Sequence, residues 1–304
     1  MVSPSAVTVR VPAKVNLQLS VGPRRDDGFH ELATIFHAVG LHDDVTVTEQ
    51  PAGSGITLAC EGEGADLVPL DETNLAWRAV RILADAAGVD ADVSVQIDKH
   101  IPVAGGMAGG SADAAGALLA CDALWGLGTP RSELHDLAAA LGSDVPFALQ
   151  GGTAIGSGRG EQLTSVLARG SFHWVFALAR EGLSTAAVYA ECDRLRADRH
   201  VPDPYVSDML MQALRAGDPV LLGKSLHNDL QQAAFSLRPM LARVIEAGEE
   251  CGALGGIVSG SGPTCAFVAR DAEHALDIAV SLTSTGLVRS VKRSSGPALG
   301  ARVI

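Results

Sequence analysis

Residues 102–115 read PVAGGMAGGSADAA, from Pro102 to Ala115. Four glycines and a serine precede an alanine-rich segment. Upstream, Val93, Val95 and Ile97 alternate as in a strand, and downstream Ala112 to Trp125 reads as a helix. The order strand, glycine loop, helix suits an anionic group. Glycines let the backbone turn several N–H groups inward and let a ligand come close. The helix adds its unpaired N-terminal donors and the positive end of its dipole. Two familiar phosphate loops do not fit. A Walker A loop ends in Gly-Lys-Ser/Thr, whereas Gly110 is followed directly by Ser111. A Rossmann loop needs GxGxxG and an acid at a strand end about 20 residues on. The same pattern also describes a glycine-rich helix entry built for close packing, so the loop alone leaves both readings open.

The bulk properties narrow the class. At roughly 100–200 residues per domain, a chain of 304 residues favours two domains or one large one. Hydrophobic residues make up 47% and aromatics only 4%, so the core must be mostly aliphatic. A net charge of -12 excludes a long nucleic-acid groove, which needs a dominant basic face. The five cysteines, Cys60, Cys121, Cys192, Cys251 and Cys265, are odd in number and widely spaced. That pattern speaks against a disulfide framework or a CxxC zinc site. There is no HExxH, and no dedicated carboxylate pair stands near the loop, so no protein metal ligand is assigned. No run approaches the roughly 18 apolar residues of a membrane span. The alternation of Val7, Val9 and Val11 lacks the continuous apolar run of a signal peptide. A reduced cytoplasmic protein is expected, with no membrane partner, and nothing implies an oligomer.

Periodicity predicts a strand over Ala6–Leu19 interrupted near Pro12-Ala13, then a turn-rich piece, GPRRDDGFHEL. Strands follow at Thr34–Val39 and Asp44–Thr48, and a helix at Thr73–Ala87 with Thr73 as its cap. A helix at Ser132–Leu141, a hairpin from Gly151 through Gly160 and a buried strand at Phe172–Leu178 come next. Helices are expected around Ala186–Arg196, Val206–Ala216, Ala242–Cys251 and Ala272–Thr285. Short strands at Gly255–Ser259 and Cys265–Ala269 flank a Gly-Ser-Gly-Pro turn. The elements alternate without the βαβ rhythm of a doubly wound sheet, which reads as α+β. The polar stretch near residue 165 is the expected domain border.

Five segments fall in order with the glycine loop: Pro12-Ala13-Lys14-Val15-Asn16-Leu17, Asp27-Gly28-Phe29-His30-Glu31-Leu32, Gly142-Ser143-Asp144-Val145-Pro146, His227-Asn228-Asp229-Leu230 and Gly260-Ser261-Gly262-Pro263-Thr264. Together they resemble the GHMP kinase superfamily over most of the chain, residues 12 to about 267. The resemblance implies a two-domain α+β fold. An N-terminal ATP-binding domain (1–165) of the ribosomal-protein-S5-domain-2-like kind would precede a ferredoxin-like C-terminal domain (166–304). It implies ATP and Mg²⁺, with phosphoryl transfer to the 2-hydroxyl of 4-diphosphocytidyl-2-C-methyl-D-erythritol, a step of non-mevalonate isoprenoid precursor synthesis. Another GHMP small-molecule kinase, or a silent nucleotide-binding protein, is the alternative.

Each implied role has a plain structural rival. Asp144 would be the general base, or a helix-capping aspartate before Val145-Pro146. Lys14 would assist it, or be a solvated strand lysine. Asn16, two residues on, would share that strand face and orient substrate, or satisfy a buried backbone group. Phe29 would stack on cytosine, His30 would hydrogen-bond it and Tyr189 would cover its other face. Without the resemblance, the first two are turn residues and the third is core. The loop Pro102, Val103, Ala104, Gly105, Gly106, Met107, Ala108, Gly109, Gly110, Ser111 and Ala112 would cradle the nucleotide phosphates, with Ser111 alternatively an N-cap. Asn74 and Lys99 would flank adenine and ribose. Gly262 would touch substrate from a second glycine turn, or belong to a plain β-turn. The chain departs from the family's usual residues at Phe29 (tyrosine), Ala104 and Ala108 (glycine), Met107 (leucine) and Ser143 (alanine). Alanine is disfavoured at positive φ, which makes Ala108 the position to inspect.

Overall fold

The structure is a computed structural model that describes residues 5–304. Its elements run β1 (Ala6–Arg24), β2 (His30–Glu49), β3 (Ile56–Gly62), α1 (Leu75–Ala87), β4 (Val93–Lys99) and α2 (Gly109–Trp125). Then come α3 (Arg131–Leu141), α4 (Val145–Gln150), β5 (Thr153–Ser157), β6 (Gln162–Ser165), β7 (Phe172–Leu178) and α5 (Thr185–Arg196). The remainder is α6 (Asp208–Ala216), α7 (Pro219–Ser225), β8 (His227–Asn228), α8 (Gln231–Leu237), α9 (Met240–Glu250), β9 (Gly255–Val258), β10 (Cys265–Ala269), α10 (Ala272–Ser284), β11 (Ser290–Gly296) and β12 (Arg302–Val303).

The first sheet has the order β12-β1-β2-β4-β3, extended by β5 and β6 beyond β2 and by β8 alongside β1. The expected pair Thr34–Val39 and Asp44–Thr48 is one strand, β2, and β1 likewise passes through Pro12-Ala13 unbroken. The proline is absorbed by a register shift between Pro12 and Ala13, with further shifts at Asn16/Gln18 and Val21/Arg24. Such bulges re-aim side chains while keeping the ladder. β1 is buried on both faces from Val11 to Gly22, so Val15, Leu17 and Leu19 enter an apolar core while Lys14, Asn16, Gln18 and Ser20 are buried on the opposite face. The second sheet has the order β11-β7-β10-β9. Its β7 alternates between two cores. Phe172, Trp174 and Phe176 join the main cluster, and Val175 and Ala177 the cluster beneath α9 and α10.

α2 is buried around nearly its whole circumference, as an alanine- and leucine-rich helix without a polar stripe must be. Gly116 makes that possible, because a Cβ there would stand 2.6 Å from Val45 Cγ2 and 3.0 Å from Val11 Cγ2. The helix therefore lies closer to β1 and β2 than any other residue at 116 permits. One expected cap and one expected helix start move by a residue. Asn74, not Thr73, caps α1, its Oδ1 accepting from the Ala76 amide, and α3 begins at Arg131, ahead of Ser132. The segment 219–237, not assigned from sequence, folds as α7, β8 and α8. Gly116→Val should lower stability by about 1–3 kcal/mol through overpacking, read as a reduced urea midpoint with unchanged m-value.

Candidate active site

A cavity of about 860 Å³ opens between the first sheet, the glycine loop and α5. The loop forms one end. α2 begins at Gly109, and its N-cap position is Ala108 at φ 60, with no side chain capping the first turn. Ser111 is thus the third helical residue and not the cap. Its hydroxyl makes no hydrogen bond among the described residues, and Gly109, Gly110 and Ser111 line the cavity. The first-turn amides are left for an anion, where the helix dipole favours one. Ala104 at φ 54 and Ala108 both adopt the left-handed region that alanine disfavours. Strain of this kind persists only where the surroundings hold the backbone.

Those surroundings are visible. Ser259 Oγ donates to the Gly106 carbonyl at 3.0 Å, and the Lys14 amide to the Met107 carbonyl at 3.3 Å. Gly106, at φ 72, lies where a Cβ would run into the carbonyl oxygens of Ser259 and Gly262. Beneath the loop, Lys99 Nζ bonds Asp43 at 2.5 Å and Asp113 at 2.8 Å, all three sealed from solvent. Asp43 also accepts the amides of His100 and Ile101, at 2.6 and 2.8 Å, which fixes the point where the chain enters the loop. Burial raises the Asp113 carboxyl above the usual carboxylate range, against the pull of Lys99.

The structure redistributes the sequence-derived loop residues. Ala104, Gly105, Gly106, Ala108, Gly109, Gly110 and Ser111 face the cavity. Pro102, Val103, Met107 and Ala112 do not, and form the back of the loop, with Met107 fully buried. Lys99 and Asn74 do not line it either. The Lys99 ammonium is consumed by two aspartates, and Asn74 spends its oxygen on the α1 cap and its amide on the Pro69 carbonyl. In the second glycine turn, Gly260 and Ser261 line the cavity and Gly262 turns away toward Val258.

At the centre of the cavity Lys14 Nζ stands 3.5 Å from Asp144 Oδ2 and donates to Asn16 Oδ1 at 2.6 Å. Asn16 Nδ2 donates to Thr34 Oγ1, whose own proton goes to the Gln18 carbonyl. Lys14 also lies 5.6 Å from the Phe36 ring centre. Asp144 occupies the N-cap position of α4 yet makes no capping hydrogen bond. Its carboxylate points instead to Lys14 and the cavity, with 31% of the side chain exposed. A carboxylate held by a buried ammonium beside unpaired loop amides is an arrangement for taking a proton from an alcohol next to a phosphate.

Comparison with known proteins agrees with this geometry. The model for the GHMP kinases N terminal domain matches residues 74–152, and that for the GHMP kinases C terminal region matches residues 210–286. A protein of Mycolicibacterium smegmatis named 4-diphosphocytidyl-2-C-methyl-D-erythritol kinase is 57% identical over 305 aligned residues, covering 100% of this chain and 94% of its own length. The chain belongs to the GHMP kinase family. A Mycobacterium tuberculosis protein of the same name is 56% identical over 98% of this chain and 93% of its own. A crystal structure of 4-(cytidine 5'-diphospho)-2C-methyl-D-erythritol kinase superimposes with a TM-score of 0.77 at 33% identity, over 94% of this chain and 98% of that one. Homoserine kinase from Cytophaga hutchinsonii shares the fold at a TM-score of 0.76 and 18% identity, over 100% and 99% of the two chains.

The far end of the cavity holds aromatic groups. His30 and Tyr189 pack ring to ring, 5.2 Å between centres at 33°. Phe29 is 52% exposed, with the Arg159 guanidinium 5.2 Å from its ring centre. His30 Nε2 bonds Asp193 Oδ1 at 2.8 Å. Sequence reasoning missed Arg159 and Asp193, and also Asp43, Asp113 and Thr34. One signal was present for Asp193, which lies four residues after Tyr189 on α5 and so shares its helix face. Behind that helix, Asp229 receives the Val21 amide, His227 Nε2 and the Arg196 guanidinium.

Two outcomes follow from these clusters. Lys99→Met, which strands two buried acids, should cost about 3–5 kcal/mol in a denaturant titration at pH 7. Burial tends to raise the Asp229 carboxyl, but the His227 bond, the Val21 amide and Arg196 outweigh it and hold the group at about 2. A depressed carboxylate stabilises the fold above its unfolded value and ceases to as pH falls through the folded value. Asp229→Asn should therefore cost about 2 kcal/mol at pH 7, and the difference from wild type should shrink steadily between about pH 4 and pH 2 in urea titrations.

Proposed function

We propose that this chain transfers the γ-phosphate of ATP to the 2-hydroxyl of 4-diphosphocytidyl-2-C-methyl-D-erythritol. The observation that carries the reading is the Lys14–Asp144 pair facing the uncapped start of α2. The full-length similarity to proteins named for that activity supports the acceptor. In this reading the amides of Gly109, Gly110 and Ser111 hold the phosphates of ATP. Asp144 accepts the proton of the acceptor hydroxyl. Lys14, 3.5 Å away, orients that carboxylate and offers charge to the reacting oxygens. Phe29, His30 and Tyr189 hold the cytosine at the far end of the cavity. The base lies there, the phosphates at the loop, and the reacting hydroxyl between them, beside Asp144.

Among the described residues no cluster of three His, Cys, Asp or Glu could hold a metal ion. In this reading Mg²⁺ comes with the phosphates of ATP, and the free Ser111 hydroxyl is the protein oxygen that would meet it. Bound there, Mg²⁺ would neutralise phosphate charge. We place the division into an N-terminal ATP-binding part and a C-terminal part near residue 165, after β6. No helix among the described residues is long and apolar enough to cross a membrane.

The test is ADP release from ATP-Mg²⁺ with the cytidyl acceptor, alongside homoserine, mevalonate and galactose. Turnover with the cytidyl acceptor alone is expected, and preference for another acceptor would discard the cytosine pocket. Asp144→Asn should lower kcat by about 10²–10⁴ while ATP still binds, as measured by calorimetry.

A further inference from the structure

We infer that Asp193 makes the base pocket selective for cytosine over uracil by fixing the tautomer of His30. This rests on the proposed cytidyl acceptor and names what reads its base. His30 Nε2 lies 2.8 Å from Asp193 Oδ1. A carboxylate oxygen accepts the Nε2–H, and in that tautomer Nδ1 is left as a lone-pair acceptor. Among the described residues Nδ1 has no hydrogen-bond partner, and it is not one of the sealed, unsatisfied atoms of the core. His30 lines the cavity with Asp193 and Tyr189, while the rest of its side chain is buried, with only 6% exposed. Tyr189 packs on the imidazole, and Asp193 sits one helical turn beyond Tyr189 on α5. The imidazole is therefore held in both position and orientation.

A bare acceptor in a confined pocket discriminates between the two pyrimidines at one position. Cytosine carries an exocyclic N4 amino group, which donates. Uracil carries a carbonyl oxygen there, which would face the Nδ1 lone pair and leave both acceptors unpaired in a partly dry site. Leaving a buried polar group unsatisfied costs more than a hydrogen bond gains. In this arrangement Asp193 acts on the base through its bond to His30 Nε2. It is a positioning residue that acts through His30.

The experiment uses the full chain with CDP and UDP as probes, Kd being measured by calorimetry for wild type, Asp193→Leu and Asp193→Asn. Wild type should favour CDP by about 10- to 100-fold. Asp193→Leu should narrow that preference to within about 3-fold by freeing the tautomer, with ATP affinity unchanged. Asp193→Asn should retain it, because an amide oxygen accepts the same N–H. Separately, ¹⁵N shifts of His30 in the ligand-free protein should report Nε2 protonated and Nδ1 bare. Wild-type binding of CDP and UDP alike, an undiminished preference in Asp193→Leu, or protonated Nδ1 in the spectrum would each overturn the inference. Wild type that binds neither nucleotide would overturn the cytidyl reading itself and this inference with it, while the ¹⁵N spectrum would still report whether the His30–Asp193 pair exists.

Discussion

β1 has no face in water along its central stretch. One face is apolar and needs only to pack. The other carries Lys14, Asn16, Gln18 and Ser20, and a buried polar face must find a partner for every group or lose several kcal/mol at each. The partners come from all over the chain. Asp144 answers Lys14, and Thr34 answers Asn16. The Tyr205 carbonyl and the Ser207 amide answer Gln18 from the second half of the molecule. Satisfying one strand therefore draws the two halves together through Gln18, while the Lys14–Asp144 pair closes the same face within the first half.

The glycine loop depends on that closure. Two alanines in left-handed conformation do not stay there unaided. Contacts from Ser259, from the β1 backbone and from the buried Lys99–Asp43–Asp113 cluster hold the loop along its length. What the loop presents to the cavity is then a fixed row of amides at the start of a helix. Such a row needs no reorganisation when charge arrives, which is where electrostatic stabilisation of phosphoryl transfer comes from. At the far end the Asp193 bond to His30 Nε2 holds that ring as the cluster holds the loop.

Most of the elements were legible as patterns. The strands 172–178 and 265–269 have the ends that periodicity assigns them, and α2 and the hairpin of β5 and β6 lie where the glycines put them. The segment 219–237 was not legible. Its short helices and the two-residue β8 are held by docking onto β1 and by the Asn228 bonds to the Val258 and Gly260 carbonyls, which leave no periodic trace. The site was legible in part. Lys14, Asp144, Phe29, His30, Tyr189 and the cavity-facing loop residues come together. Lys99 and Asn74 are spent on the framework, and Gly262 yields its place to Gly260 and Ser261.

The sequence by itself determined most of the element types, the aliphatic core, the family to which the motifs belong and the position of the glycine loop. Each of these is carried by local chemistry: alternation, glycine freedom, or residues in a fixed short order. Only the tertiary structure decided which polar residues are free to act. Asp144 could have been a cap and Ser111 could have been one too, and Lys99 could have faced a ligand. The difference lies in whether a partner sits within hydrogen-bond distance, and those partners, Asp43 for Lys99 and Lys14 for Asp144, stand 56 and 130 residues away in the chain. No spacing rule spans that distance, because burial and pairing are settled by the packing of whole elements and not by neighbours in sequence.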